Sequence, residues 1–129
     1  MDVLIRYGFS IEDIKNMMDT NQEFDDINDS DIYKLIDLLG SIGCSSDMIK
    51  NIFITNPFIF SKDLKTIEKL ISRLRKYDIN DLNVLFDGNP YILNLDYKDI
   101  DKIYKKLVKI NLSDEEIKDY FYYDLDKII

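Results

Sequence analysis

The sequence predicts an all-α fold, a right- or left-handed α-solenoid of about three to four helix-turn-helix repeats of 33–35 residues. Three observations predict it. The stretch from Tyr7-Gly8-Phe9-Ser10 to Thr20-Asn21 returns 35 residues later as Ile42-Gly43-Cys44-Ser45 to Thr55-Asn56, with Gly, Ser, Ile, Lys, Asn, Thr and Asn at the same offsets. Asn56-Pro57-Phe58-Ile59-Phe60 then returns 33 residues later as Asn89-Pro90-Tyr91-Ile92-Leu93. Between these landmarks apolar residues recur at the spacing of a helix face, and strict alternation is rare. Such a unit cannot bury its apolar stripe alone, so neighbouring units must stack.

The first helix is entered by Ser10 and carries Ile11, Ile14, Met17 and Met18. The second, Asp31 to Leu39, turns Ile32, Leu35, Ile36 and Leu39 inward, with Ser30 as N-cap and Gly40 or Gly43 supplying the left-handed residue that ends it. Ser45 caps the third, which carries Met48, Ile49, Ile52 and Phe53. It stops at Asn56-Pro57, because proline disfavours helical geometry at the residue before it. The fourth spans Lys62 to Tyr77, with Ser61 as cap and Leu64, Ile67, Leu70, Ile71 and Leu74 inward. Asn80 caps a short fifth helix with Leu82, Leu85 and Phe86, closed by Gly88-Asn89-Pro90. The sixth runs from Tyr97 to Ile110. Ser113-Asp114-Glu115-Glu116 opens the seventh as a capping box. Leu125 to Ile129 are apolar enough to pack on that helix as a terminal cap, and their conformation is left open.

A chain of 129 residues and 46% hydrophobic content makes a single domain, residues 1–129. No stretch approaches the ~18 uninterrupted apolar residues of a membrane span, and Asp2 and Arg6 interrupt the N-terminus as a signal peptide. The single Cys44 fits a reducing, cytoplasmic setting. Residues 1–59 hold 4 basic and 11 acidic side chains, 60–109 hold 11 and 8, and 110–129 hold 2 and 6. A mildly basic middle therefore lies between acidic ends.

The unit of a leucine-rich helix, a turn, a short helix and Asn-Pro-aromatic-Ile-Leu/Phe resembles the repeat of mitochondrial transcription termination factor-like proteins. The residues that carry it are Leu35-Ile36-Asp37-Leu38-Leu39-Gly40 through Asn56-Pro57-Phe58-Ile59-Phe60. They recur more weakly in Leu70-Ile71-Ser72-Arg73-Leu74 through Asn89-Pro90-Tyr91-Ile92-Leu93. The resemblance implies a curved α-solenoid and the binding of duplex nucleic acid along a basic concave path.

Two sets of residues are candidate sites. Lys62, Lys65, Lys69, Arg73 and Lys76 form one helical stripe, and Lys98, Lys102, Lys105 and Lys109 another on the corresponding helix of the next repeat. Parallel stripes can track a phosphate backbone, although a solvated helix face carries the same pattern. The alternative partner is a basic nucleic-acid-binding protein. Glu12, Asp25, Asp26, Asp29, Asp31, Glu115 and Asp119 would meet it, as in an inhibitor of a nucleic-acid-binding machine of a phage or its host. The run Tyr120 to Tyr123 reads first as core closure and second as a platform that stacks bases or anchors a partner protein.

Catalysis is not expected. The chain has no His, which removes the commonest general base and zinc ligand, and it has no glycine-rich phosphate loop. Asp26, Asn28 and Ser30 imitate alternating calcium ligands, but Asp31 stands where such a loop needs Gly. No cofactor or metal is expected.

Overall fold

In this computed structural model, residues 2–125 are described. They form eight α-helices: α1 (Asp2–Tyr7), α2 (Ile11–Thr20), α3 (Asp29–Ser41), α4 (Ser46–Thr55), α5 (Leu64–Lys76), α6 (Leu82–Gly88), α7 (Tyr97–Lys109) and α8 (Asp114–Asp119). Short 3-10 segments, Gln22–Asp26, Pro57–Ser61 and Pro90–Asn94, follow α2, α4 and α6, and a π-helical turn, Tyr120–Asp124, follows α8. No strand occurs among the described residues. The all-α repeat architecture is the one the periodicity predicts. Neither α1 nor the 3-10 segments was legible, because one turn of helix leaves too few apolar positions to show a period.

The repeats are set in register by their turns. Gly8, Gly43, Asp78 and Asn111 adopt positive φ angles of 108°, 96°, 65° and 65°, at spacings of 35, 35 and 33 residues. Each stands just past the end of α1, α3, α5 or α7. The amide of the following residue, Phe9, Cys44, Ile79 or Leu112, donates back to the carbonyl of Leu4, Leu39, Leu74 or Leu107, at 3.0, 3.1, 3.0 and 3.3 Å. This is a Schellman closure: a left-handed residue reverses the chain, and an apolar residue after it folds onto the leucine it bonds. Leu39 and Leu74 are wholly buried. Gly40, also expected as a left-handed candidate, keeps a negative φ within α3.

The turn makes each repeat a hairpin with two layers. The helices before the turn line one side, with α1 on α3 and α5 closely on α7. The helices after it line the other, with α2 on α4 and α4 on α6, and the 3-10 segments stack at the edge. The core runs between the layers through Phe24, Phe53, Phe86 and Phe121, one per repeat, all at most 1% exposed. Phe53 and Phe60 meet edge to face at 4.6 Å between centroids, and Phe24 and Phe60 at 4.8 Å, an orientation aromatic quadrupoles favour.

Two buried asparagines join consecutive repeats. Asn21 donates from Nδ2 to the Pro57 carbonyl at 3.0 Å and the Ser61 hydroxyl at 2.8 Å. Asn56 donates in the same way to the Pro90 carbonyl at 3.0 Å and to Oδ1 of Asn94 at 2.9 Å, and Asn94 returns a bond at 3.0 Å. Buried amides this well satisfied fix register as well as stability.

Several caps differ from expectation. Ser10 and Ser113 form capping boxes with Asp13 and Glu116, and Ser45 accepts from the Met48 amide at 3.2 Å. Asn28, not Ser30, caps α3, accepting from the Asp31 amide at 2.9 Å, so α3 starts two residues earlier. Asp63, not Ser61, caps α5, accepting from the Lys65 amide at 3.2 Å; Ser61 lies two residues earlier, at the end of the 3-10 segment, where its hydroxyl accepts from Asn21. Asn80 donates to Asp78 instead of capping α6, which follows Asp81. Leu125 is buried, and residues 126–129 of the expected terminal cap lie outside the described residues.

Candidate nucleic-acid interface

Aligning the repeats on their turns places Lys34, Lys69 and Lys102 at one register, the sixth residue of α3, α5 and α7 respectively. All three are exposed. Ser30, Lys65 and Lys98 share a second register, and Ser41, Lys76 and Lys109 a third. Read along each helix, α3 looks unlike its successors. Read across the helices, one lysine column spans all three.

Charge is partitioned by layer as well as along the chain. Helices α3, α5 and α7 together carry eleven basic and six acidic side chains. Helices α2, α4, α6 and α8 carry three basic and nine acidic. Opposite faces of one chain therefore hold opposite charge, and a polyanion meets an attractive potential from one side only.

Two shallow grooves, each of about 410 Å³, cross the basic layer. One lies between α3 and α5, with Lys34, Lys62 and Lys65 on its rim beside Asp31, Asp63 and Glu68. Lys62 belongs there and not to the helical stripe, since it follows the 3-10 segment with extended backbone (φ −85°, ψ 140°). The expected five-residue stripe therefore keeps Lys65, Lys69, Arg73 and Lys76. The second groove lies against Tyr97 and is lined by Lys69, Ser72, Arg73 and Lys76.

Arg73 is not a free cation. Its guanidinium forms an ion pair with Asp101 on α7 and lies 4.8 Å from the centre of the Tyr97 ring. Tyr77 donates its hydroxyl to the same carboxylate at 2.5 Å and stacks on Tyr104, ring centres 3.9 Å apart. The Tyr77 hydrogen bond and then the Arg73 pair hold the Asp101 carboxyl below its ordinary value. This cluster clamps α5 to α7 and leaves Lys69, Lys76, Lys98, Lys102, Lys105 and Lys109 exposed toward solvent. Sequence reasoning missed Lys34, whose signal was the 35-residue offset to Lys69, and Asp101, which looks like any surface acid on a helix.

The acidic candidates are dispersed. Glu12 is on α2, Asp25 and Asp26 are in the first 3-10 segment, Asp29 and Asp31 begin α3, and Glu115 and Asp119 are on α8. Lys118 pairs with Asp78 at 2.9 Å and reaches Glu115 at 3.5 Å. Of the tyrosine run, Phe121 is 1% exposed and closes the last repeat, whereas Tyr123 is 74% exposed.

Cys44 is buried, and burial, followed by the nearby Asp87 charge, pushes its thiol to about 11. A thiol held protonated is a poor nucleophile. Among the described residues no group of three or more His, Cys, Asp or Glu could hold a metal ion, and no helix is long and apolar enough to cross a membrane.

Comparison with known families decides the relationship: the mTERF family model matches residues 21–123. The chain belongs to the mTERF family. That span begins at the first joining asparagine and covers three of the four turns, so the family pattern coincides with the stacked repeats. No curated protein and no solved structure matches the chain.

Proposed function

We propose that this mTERF-family chain binds nucleic acid through its phosphate backbone, across α3, α5 and α7, and catalyses no reaction on it. The observation that carries this reading is the lysine column Lys34, Lys69 and Lys102, set at one register by turns that recur with the repeat. Lys65, Lys76, Lys98, Lys105 and Lys109 flank the column. Phosphate contacts made by lysine release counterions, so affinity falls steeply with salt and depends weakly on base sequence.

The test is a gel-shift salt series on a duplex probe, comparing the parent chain with the triple variant Lys34→Gln, Lys69→Gln, Lys102→Gln. If each lysine neutralises one phosphate, the slope of log affinity against log salt becomes shallower by about 3. Unchanged retention and slope in the triple variant would remove the proposal.

A further inference from the structure

The 3-10 segments bury most of their side chains. Pro57, Ile59 and Phe60 point inward, as do Pro90, Ile92 and Leu93. The residue after each proline does the opposite. Phe58 is 46% exposed and Tyr91, at the same position one repeat on, is 51% exposed. Tyr123, in the closing turn of the next repeat, lines a cleft of about 290 Å³ together with Tyr91, Gly88 and Asn89. Ile54, one turn before Phe58, is 44% exposed. Large apolar side chains in solvent at a repeated position, between well-buried neighbours, mark a contact surface more than loose packing.

The surroundings state what would fit. Glu23 occupies the Phe58 position in the first repeat and is exposed. Asp19 and Asp87 lie where Ile54 lies, in the last turns of α2 and α6, and Asp119 ends α8. This edge adjoins the layer with nine acidic and three basic side chains, so it repels phosphate. We propose that the edge docks a basic, amphipathic segment of a protein partner. Its apolar side chains would rest on Phe58, Tyr91 and Tyr123, and its lysines or arginines would face Asp19, Glu23, Asp87 and Asp119. Tyrosine suits such a contact, because its ring faces attract cations and lose little rotamer freedom. The chain then presents one side to nucleic acid and another to protein, and the two surfaces are independent.

The probe is a labelled, short helical peptide of leucine and lysine patterned as one apolar and one basic face, with an isomer bearing glutamate for lysine as control. Binding to the full chain is followed by fluorescence anisotropy. Replacing Phe58, Tyr91 and Tyr123 together with Ser weakens the basic peptide by at least about tenfold. Gly88→Lys does the same, since a Cβ there meets nothing within 4 Å and the new side chain can fill the cleft and repel a basic segment without disturbing α6. The lysine-column triple variant leaves the peptide affinity unchanged, which separates this surface from the nucleic-acid face. Equal affinity in the parent, the serine variant and Gly88→Lys would overturn the proposal. So would equal binding of the glutamate isomer, displacement of the peptide by a duplex, or self-association in sedimentation that depends on the same three aromatic residues.

Discussion

Asn56 reaches from one repeat into the next, its Nδ2 standing 3.0 Å from the carbonyl oxygen of Pro90. The residue is 0% exposed and also holds Asn94. Asn56→Ala leaves that carbonyl and the Asn94 amide without their buried partner, and lowers stability by about 2–3 kcal/mol. Asn56→Asp costs more, because a carboxylate cannot donate to either acceptor. Urea unfolding of the two variants beside the parent chain checks the order.

Two glycines three residues apart should respond with opposite signs. Gly40 lies inside α3 with negative φ, and a Cβ there would meet nothing within 4 Å. Gly40→Ala therefore stabilises the chain by about 0.5–1 kcal/mol, chiefly by restricting the unfolded state. Gly43 has φ of 96°, so Gly43→Ala destabilises by about 1 kcal/mol or more. Thermal melts that move in the same direction for both would contradict the turn assignment.

The Asp101 cluster makes stability depend on acid. Its carboxyl is held below the ordinary 3.8 by Tyr77 and Arg73, so the folded state favours the ionised form. A depressed carboxylate contributes stability that is fully present above its unfolded value and is lost as pH falls through the folded one. Asp101→Asn should therefore lower the melting temperature near neutrality, and the gap to the parent should close as pH falls below about 3.8. Because the substitution also releases Arg73, duplex retention should rise. A constant gap at every pH would exclude the ion pair as its cause.

Cys44 offers a probe of the turn above it. With the thiol at about 11 and buried behind the α3–α4 turn, it should resist a disulfide reagent at neutral pH in the native chain. Reaction should accelerate through the urea transition and track unfolding. Rapid native labelling would mean the turn opens locally.

The repeat was legible because Gly8 and Gly43, and Asn56 and Asn89, are printed in the chain at nearly constant offsets. The third and fourth turns were not, since Asp78 and Asn111 replace glycine and carry the same backbone in a residue that more often marks a surface loop. Caps were misplaced where two candidates competed. Ser61 looks like the natural cap of α5, but the 3-10 segment runs through it and α5 starts only at Leu64, while its hydroxyl serves the long-range bond from Asn21. The lysine stripes were read along helices, the direction in which sequence periodicity speaks. Lys34, flanked in sequence by Asp31 and Asp37, looks like a departure from the stripes and joins the column only when the turns define the register, and the pairing of Arg73 with Asp101 is visible only in the fold.

Both amide hooks, Asn21 to Pro57 and Asn56 to Pro90, point forward along the chain. Detaching either end breaks the same hook: losing the trailing repeat takes both acceptors from Asn56, and losing the leading one takes from Asn94 the oxygen it bonds and from Pro90 its donor. Neither end therefore frays cheaply, and amide exchange at the two hooked junctions should show them opening together.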